Sequence, residues 1–533
     1  MSRLLDYPII MPMQRRLIFV FIIGLSCITS GPTSAQTEVA PCGYVDGFDF
    51  PLAGVDTEKS DFGIYRTRFG GLHTGIDIGF HQYGDPVRAA ARGRVTYSNP
   101  EGWDTEKGVV VIQHTFPDGT LVNTLYGHME EVNGYHFPTM NQCVEQGQII
   151  GAIGDPSLSL PHLHYEVRTR YRHEGGPGYT EINPIDLGWL HPIDFTFLAK
   201  VWIHPAYRGH FSLSQSPTIP PVVLPNGTYL IAQSTRLENL SADGQMLWQF
   251  DTLSSIIGLL VLPDGRILAS TSSAQALVLN NGSYSTLWAT PESLAPPILL
   301  GSGLVFLTEE NTIAAYTPDG SQLWQTTPLP DRLIRWAVSG DRLAVSTRSG
   351  DLWIVDAAGS VLFQTTYTSA SIPFTAAEGE FLVLTGSVIS RIDSHLNSLL
   401  LVNTEREVTA EAEILYSTDG TFYFYTGEGR SLYAYNFDGS LRWIAYLPGS
   451  HLHAPRLGIG GGSLLYALST DGQLLAYDTT DGHLIAQLAL YNGGIDGSAS
   501  VRWLNVGPDD TIRFSSGYLT VVRLDGLALN TVP

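Results

Sequence analysis

The chain has 533 residues, of which 44% are hydrophobic and only 15% charged. That length exceeds one ordinary core, so a globular chain of two or three domains is expected. Formal net charge is −22. No basic patch tracks a phosphate backbone, so nucleic acid is not expected as a partner.

Residues 1–35 carry Arg3, Arg15 and Arg16, then the apolar run Leu17–Ile28, then small residues ending at Ala35. A basic start, a short apolar run and a small-residue exit read as a secretory signal. A bilayer span needs about 20 apolar residues. The run is shorter than that, and an uncleaved N-terminal membrane anchor is the alternative. The expected location is therefore extracellular or the cell envelope. Cleavage after Ala35 removes Cys27 and leaves Cys42 and Cys143. An oxidising compartment pairs two such cysteines, and that disulfide is expected.

The 55 glycines and 31 prolines favour turns and short strands. Residues 36–200 form the first expected domain. Val109–Ile112 is a buried-strand run, followed by a turn at Pro117-Asp118-Gly119. Thr124–His128, Gln148–Gly154 and His162–Arg168 are further extended pieces. Helical periodicity is weak, so the reading is all-β with an antiparallel sheet.

Residues 201–533 change texture to a repeat. Asp-Gly or a relative recurs at Gly244, Gly282, Gly320, Gly359, Gly439, Gly482 and Gly526. The intervals are about 40 residues, the size of a four-stranded propeller blade. The interval from Gly359 to Gly439 is doubled, with a degenerate marker near Leu396-Asn397. A seven- or eight-bladed β-propeller is expected. Trp248, Trp288, Trp324 and Trp443 follow these turns, and packing between blades is their simplest role.

Nine of the 15 histidines precede residue 200, so the chemistry belongs to the first domain. His73 and Asp77 stand four apart around Gly75. In His162-Leu163-His164 the strand period of two puts both imidazoles on one face. By the same alternation, Tyr126 and His128 are expected on one side. Two imidazoles and a carboxylate suit Zn²⁺ with a fourth position open for water. Glu166 shares the face of His162 and His164, either as a partner for a ligating imidazole or as a surface residue. His114 is read as structural.

These motifs resemble the lysostaphin-type zinc endopeptidases of peptidase family M23. The family's His-x-x-x-Asp and His-x-His are matched by His73…Asp77 and His162-Leu163-His164. Phe62-Gly63, Pro86–Val95, Gly108–His114, Leu125–Met129, Gly147–Gly154 and Asn183-Pro184 match its supporting segments. The resemblance implies one Zn²⁺ per chain, held by His73, Asp77 and His164. It makes His128 and His162 the catalytic histidines. It implies a metalloendopeptidase acting on peptidoglycan peptides or another peptide substrate. One local departure is Leu160 where the family has Gly, so Asp155–Leu160 is expected to reshape one groove wall.

The repeats resemble the PQQ-type β-propeller superfamily, in units such as Ile313–Gly320. No quinone or calcium set is evident, so a binding or scaffold role for a protein partner or wall fragment is expected. Two rival functions stay open. One is a catalytically silent peptidase-fold regulator or binding protein. The other is an extracellular oxidoreductase centred on the repeats.

Overall fold

The computed structural model describes residues 41–529 except 57–59, 172, 214, 216, 294–295, 405–412, 427–429, 449–454, 462, 470–471, 490–502 and 517–519. The expected signal or anchor in residues 1–35 lies outside the described residues. No helix among the described residues is long and apolar enough to cross a membrane.

The first region is built on a nine-stranded antiparallel sheet. Its centre runs Gly93–Asn99, Gly108–Thr115, Leu121–Glu130, Leu163–Arg168. The strand Gly108–Thr115 is buried on both faces except at its last residue, which explains its unbroken valine run. One face of the sheet packs Val110, Ile112, Tyr126, Leu163, Tyr165 and Val167 into the main core with Phe48, Phe116 and Phe195. The other face carries Val109, Val111 and Leu125 under Tyr97 and Trp103. A small three-stranded sheet of Tyr65-Arg66, Gly71–His73 and Tyr179-Thr180 stands beside it. Cys42 and Cys143 are joined as a disulfide, with Cα atoms 5.4 Å apart, as the cysteine count predicts.

The chain is not wholly β. Pro192–Trp202 is an α-helix of 11 residues. Proline occupies its first turn, and the His191 side chain accepts from Asp194 N–H at its start. Nine of its residues are buried. Such a helix shows no polar face, so its amphipathic period is faint in the sequence.

Residues beyond the helix form eight four-stranded antiparallel sheets. Seven are consecutive in sequence. The eighth combines Tyr207–Ser212 with three strands from Leu504 to Asp525. Residues Leu198, Ala199, Val201 and Trp202 of the helix share a continuous core with Ile512, Phe514, Val522 and Leu524 of that eighth sheet. Residues 40–533 accordingly make one compact unit.

The turn glycines explain the tryptophans. Trp248 lies over Gly282, Trp288 over Gly320, Trp324 over Gly359 and Trp443 over Gly482, each glycine belonging to the next sheet. A Cβ at those four glycines would lie 2.5–3.0 Å from the indole, and all four have positive φ. The indole N–H of Trp288, Trp324 and Trp443 donates to a carbonyl of that next turn. Tryptophan and glycine therefore form one packing unit between neighbouring sheets. Phe211 of the eighth sheet covers Gly244 of the first in the same way. At the degenerate marker, Leu396 itself adopts φ 67° and packs against the same core cluster as Phe363.

Candidate metal centre and groove

Register brings three residues of the site into one row. Asp77 on the strand Ile76–Ile78 pairs with His164, and His164 pairs on its other side with Gly127. Directly opposite residues share a face, so Asp77 and His164 meet. Gly127 leaves room for a roof. A Cβ there would lie 2.3 Å from the Trp103 ring, whose indole N–H donates to Gly175 O at 2.6 Å.

His128 corrects the expectation from simple alternation. Tyr126 points into the core, where its hydroxyl accepts from Ala90 N–H at 2.8 Å and from Thr124 Oγ1 at 2.9 Å. His128 faces the opposite way, into the groove. The pairing with the neighbouring strand shifts here, from Val110↔Tyr126 to Gly108↔Met129, so Gly127 and His128 together oppose Val109. His128 takes φ 58°. This is a β-bulge, and it re-aims the imidazole to the site face.

The ligand atoms of His73, Asp77 and His164 all lie within 4.8 Å of one another. His73 Nε2 and His164 Nδ1 are 2.9 Å apart. Asp77 Oδ1 lies 3.3 Å from the first and 3.2 Å from the second. The outward ring nitrogens are spoken for by carboxylates. His73 Nδ1 is 3.2 Å from Asp61 Oδ2, and His164 Nε2 is 3.0 Å from Glu166 Oε1. A carboxylate oxygen accepts, so those nitrogens carry hydrogens, and the inner ones would bind a metal by giving up the proton they share. Two imidazole nitrogens and a carboxylate oxygen turned on one point could hold a metal ion. Two imidazoles and one carboxylate are the donor set of an open zinc site, so the residues fit that metal.

The other two histidines are oriented likewise. His128 Nδ1 donates to Glu106 O at 2.8 Å, and His162 Nδ1 to Leu160 O at 2.6 Å. Each therefore turns its Nε2 inward. His162 Nε2 reaches Asp77 Oδ1 at 3.4 Å, and the His128 and His162 ring centroids are 4.6 Å apart.

Electrostatics follow from these contacts. Burial opposes charge on His73, but the Asp61 and Asp77 carboxylates prevail and push it up to about 10. Burial, helped by the neighbouring His162 and His164, pushes His128 down to about 3. Burial also opposes ionisation of Asp77, yet hydrogen bonds from His162, His164 and His73 hold it well below the usual carboxylate range.

Glu166 is fully buried, which settles its two readings in favour of a histidine partner. It also accepts from Thr74 Oγ1 at 2.5 Å, Arg168 Nη1 at 3.0 Å and Trp189 Nε1 at 2.9 Å. His114 is structural, enclosed between Arg92 O and Thr124 Oγ1 at 2.8 Å each. Asp61 and Trp103 went unread in the sequence. The signal for Asp61 was its place at the head of the hairpin that returns to His73, with Gly63 N–H donating to His73 O at 2.8 Å.

The cluster opens into a groove of about 470 Å³ walled by Phe69, Phe80, Trp103 and Tyr179. Leu158 and Ser159 also line it, so the segment Asp155–Leu160 does form one wall.

A family model for peptidase family M23 matches residues 71–177. A family model described as outer membrane protein assembly factor BamB matches residues 309–397 and 385–527. No curated protein matches the chain. Among solved structures, the computationally designed Ika8 protein is 14% identical, with a TM-score of 0.47, over 60% of this chain and 99% of that one. BamB from Moraxella catarrhalis is 17% identical, with a TM-score of 0.43, over 60% of this chain and 97% of that one. The chain therefore carries an M23-family peptidase-like domain followed by a BamB-like repeat domain, with the His73, Asp77 and His164 cluster in the first.

Proposed function

We propose that the chain is a zinc metalloendopeptidase that hydrolyses peptide bonds of bacterial peptidoglycan. The carrying observation is the convergence of His73 Nε2, His164 Nδ1 and Asp77 Oδ1, each imidazole backed by a carboxylate. Zinc held by these three residues supplies an acidified water and polarises the scissile carbonyl. His128 and His162 border that position with Nε2 facing inward. One takes the proton of the attacking water. The other, protonated, donates Nε2–H to the developing oxyanion and passes a proton to the leaving amine. The aromatic walls hold the peptide extended and keep bulk water from the reacting atoms.

Residues 36–200 are assigned to the peptidase and 201–533 to a closed eight-bladed propeller. Support for the ring comes from Tyr207–Ser212 pairing with Thr520–Asp525 and from Phe211 covering Gly244. The propeller serves as scaffold and docks a protein partner or wall fragment. Residues 1–35 direct the chain to the envelope or beyond it, in keeping with the Cys42–Cys143 disulfide.

The test compares the mature protein with His164→Ala. Bound zinc and release of new amino groups from purified peptidoglycans of different cross-link types are measured. Wild type should hold one zinc and cleave, and the variant should do neither. Zinc-loaded wild type that cleaves no wall or peptide substrate overturns the peptidase reading and leaves a binding protein.

A further inference from the structure

Arg68 lines the groove beside the histidines. It projects from the turn between Tyr65-Arg66 and Gly71–His73 and reaches across to the opposite wall. Its Nη1 donates to Leu158 O at 2.8 Å. Its guanidinium carbon lies 5.8 Å from the centroid of Phe69, which stacks on Tyr179 at 4.5 Å. A guanidinium has five N–H donors. Among the described residues, only that one hydrogen bond and no carboxylate engage Arg68.

Two of the other charges of the groove, Arg66 and Asp77, are paired within the protein. Arg66 is paired with Asp61 and lies 4.0 Å from Asp77 Oδ2. Asp77 takes three histidines. Glu106 Oε1 accepts from Ser157 Oγ at 2.5 Å and from Leu158 N–H at 3.1 Å. Arg68 is thus an exposed cation on the groove's rim, tethered to Leu158 O, with no carboxylate engaging it among the described residues. What sets this arginine apart is its place in the groove that His128, His162 and His164 also line. A planar fork fits a carboxylate edge-on, which a neutral amide cannot reproduce.

We propose that Arg68 is a specificity-determining residue that binds a free carboxylate of the peptide substrate. The preferred substrates are then peptides with a free carboxylate near the cleaved bond, not neutral bridges. This rests on the peptidase reading above.

The test uses an alanine tetrapeptide of alternating L and D residues, as free acid and as C-terminal carboxamide, with the zinc-loaded full chain. Both kcat/KM and Kd are measured for each peptide. A hydrogen-bonded charged pair is worth about tenfold, so wild type should favour the acid by that factor, less at high salt. Arg68→Gln should bring the ratio close to one, and Arg68→Lys should keep part of it. A wild-type ratio of one, or an unchanged ratio in Arg68→Gln, overturns the proposal. If neither peptide is cleaved, the peptidase reading fails for these peptides, and the ratio of Kd values alone decides on Arg68.

Discussion

Glu166 Oε1 stands 3.0 Å from His164 Nε2, two residues along the same strand, with neither exposed. The pair joins the metal cluster to a buried ionic network that ends on Arg168. Glu166→Gln keeps the shape but weakens the hold on the imidazole. Zinc affinity should fall about 10- to 100-fold, read by chelator competition. Glu166→Ala also strands Arg168, and unfolding should become easier by about 3–5 kcal/mol in denaturant titration.

Gly127 makes room for Trp103 above the site. Gly127→Ala puts a methyl 2.3 Å from that ring. The indole must swing away, at a cost of about 1–3 kcal/mol in stability. Tryptophan fluorescence should shift, and turnover should fall, because Trp103 stands 4.9 Å from the His128 ring.

The histidines proposed as catalytic should separate from those proposed as ligands. His128→Ala and His162→Ala should retain zinc while losing about 10²–10⁴ in kcat. His73→Ala and Asp77→Ala should lose the metal itself. Zinc analysis beside steady-state kinetics reads the difference.

Stability should fall in mild acid through His114. Full burial lowers its pKa from 6.5 to about 4 in the fold. Between those values the unfolded chain binds the proton and the native chain does not, so stability falls as pH falls through that window. The shift is worth about 3 kcal/mol. Denaturant midpoints at pH 7 and pH 4 should differ less in His114→Gln than in wild type.

Removing zinc should lower the melting temperature as well as the rate. A metal that binds only the native state adds about 4 kcal/mol at a thousandfold excess over Kd. Calorimetry with and without a chelator checks this.

The candidate cluster of His73, Asp77 and His164 was legible in the sequence through the His-x-x-x-Asp and His-x-His motifs and the family they resemble, and strand alternation placed His162 beside it. The blade repeat was legible because a positive-φ glycine and its tryptophan recur at fixed spacing. Alternation failed at His128, since a bulge is set by pairing with Val109 and leaves no mark in Tyr126-Gly127-His128 itself. The Pro192–Trp202 helix was hidden because both domains cover it. Trp103 reaches the site through tertiary folding, at no recognisable distance along the chain. Leu396, holding a glycine's conformation, shows why one blade marker was degenerate.

The eighth sheet also sets an order of events. Arg208 and Asp525 are paired across 317 residues of chain. Tyr207–Ser212 leaves the ribosome long before the strands it joins, so the helix Pro192–Trp202 waits without its floor. A prematurely terminated or nicked chain would carry every catalytic residue on an unfinished foundation, open to proteolysis. The stability of the site region is thereby tied to completion of the last repeat strands.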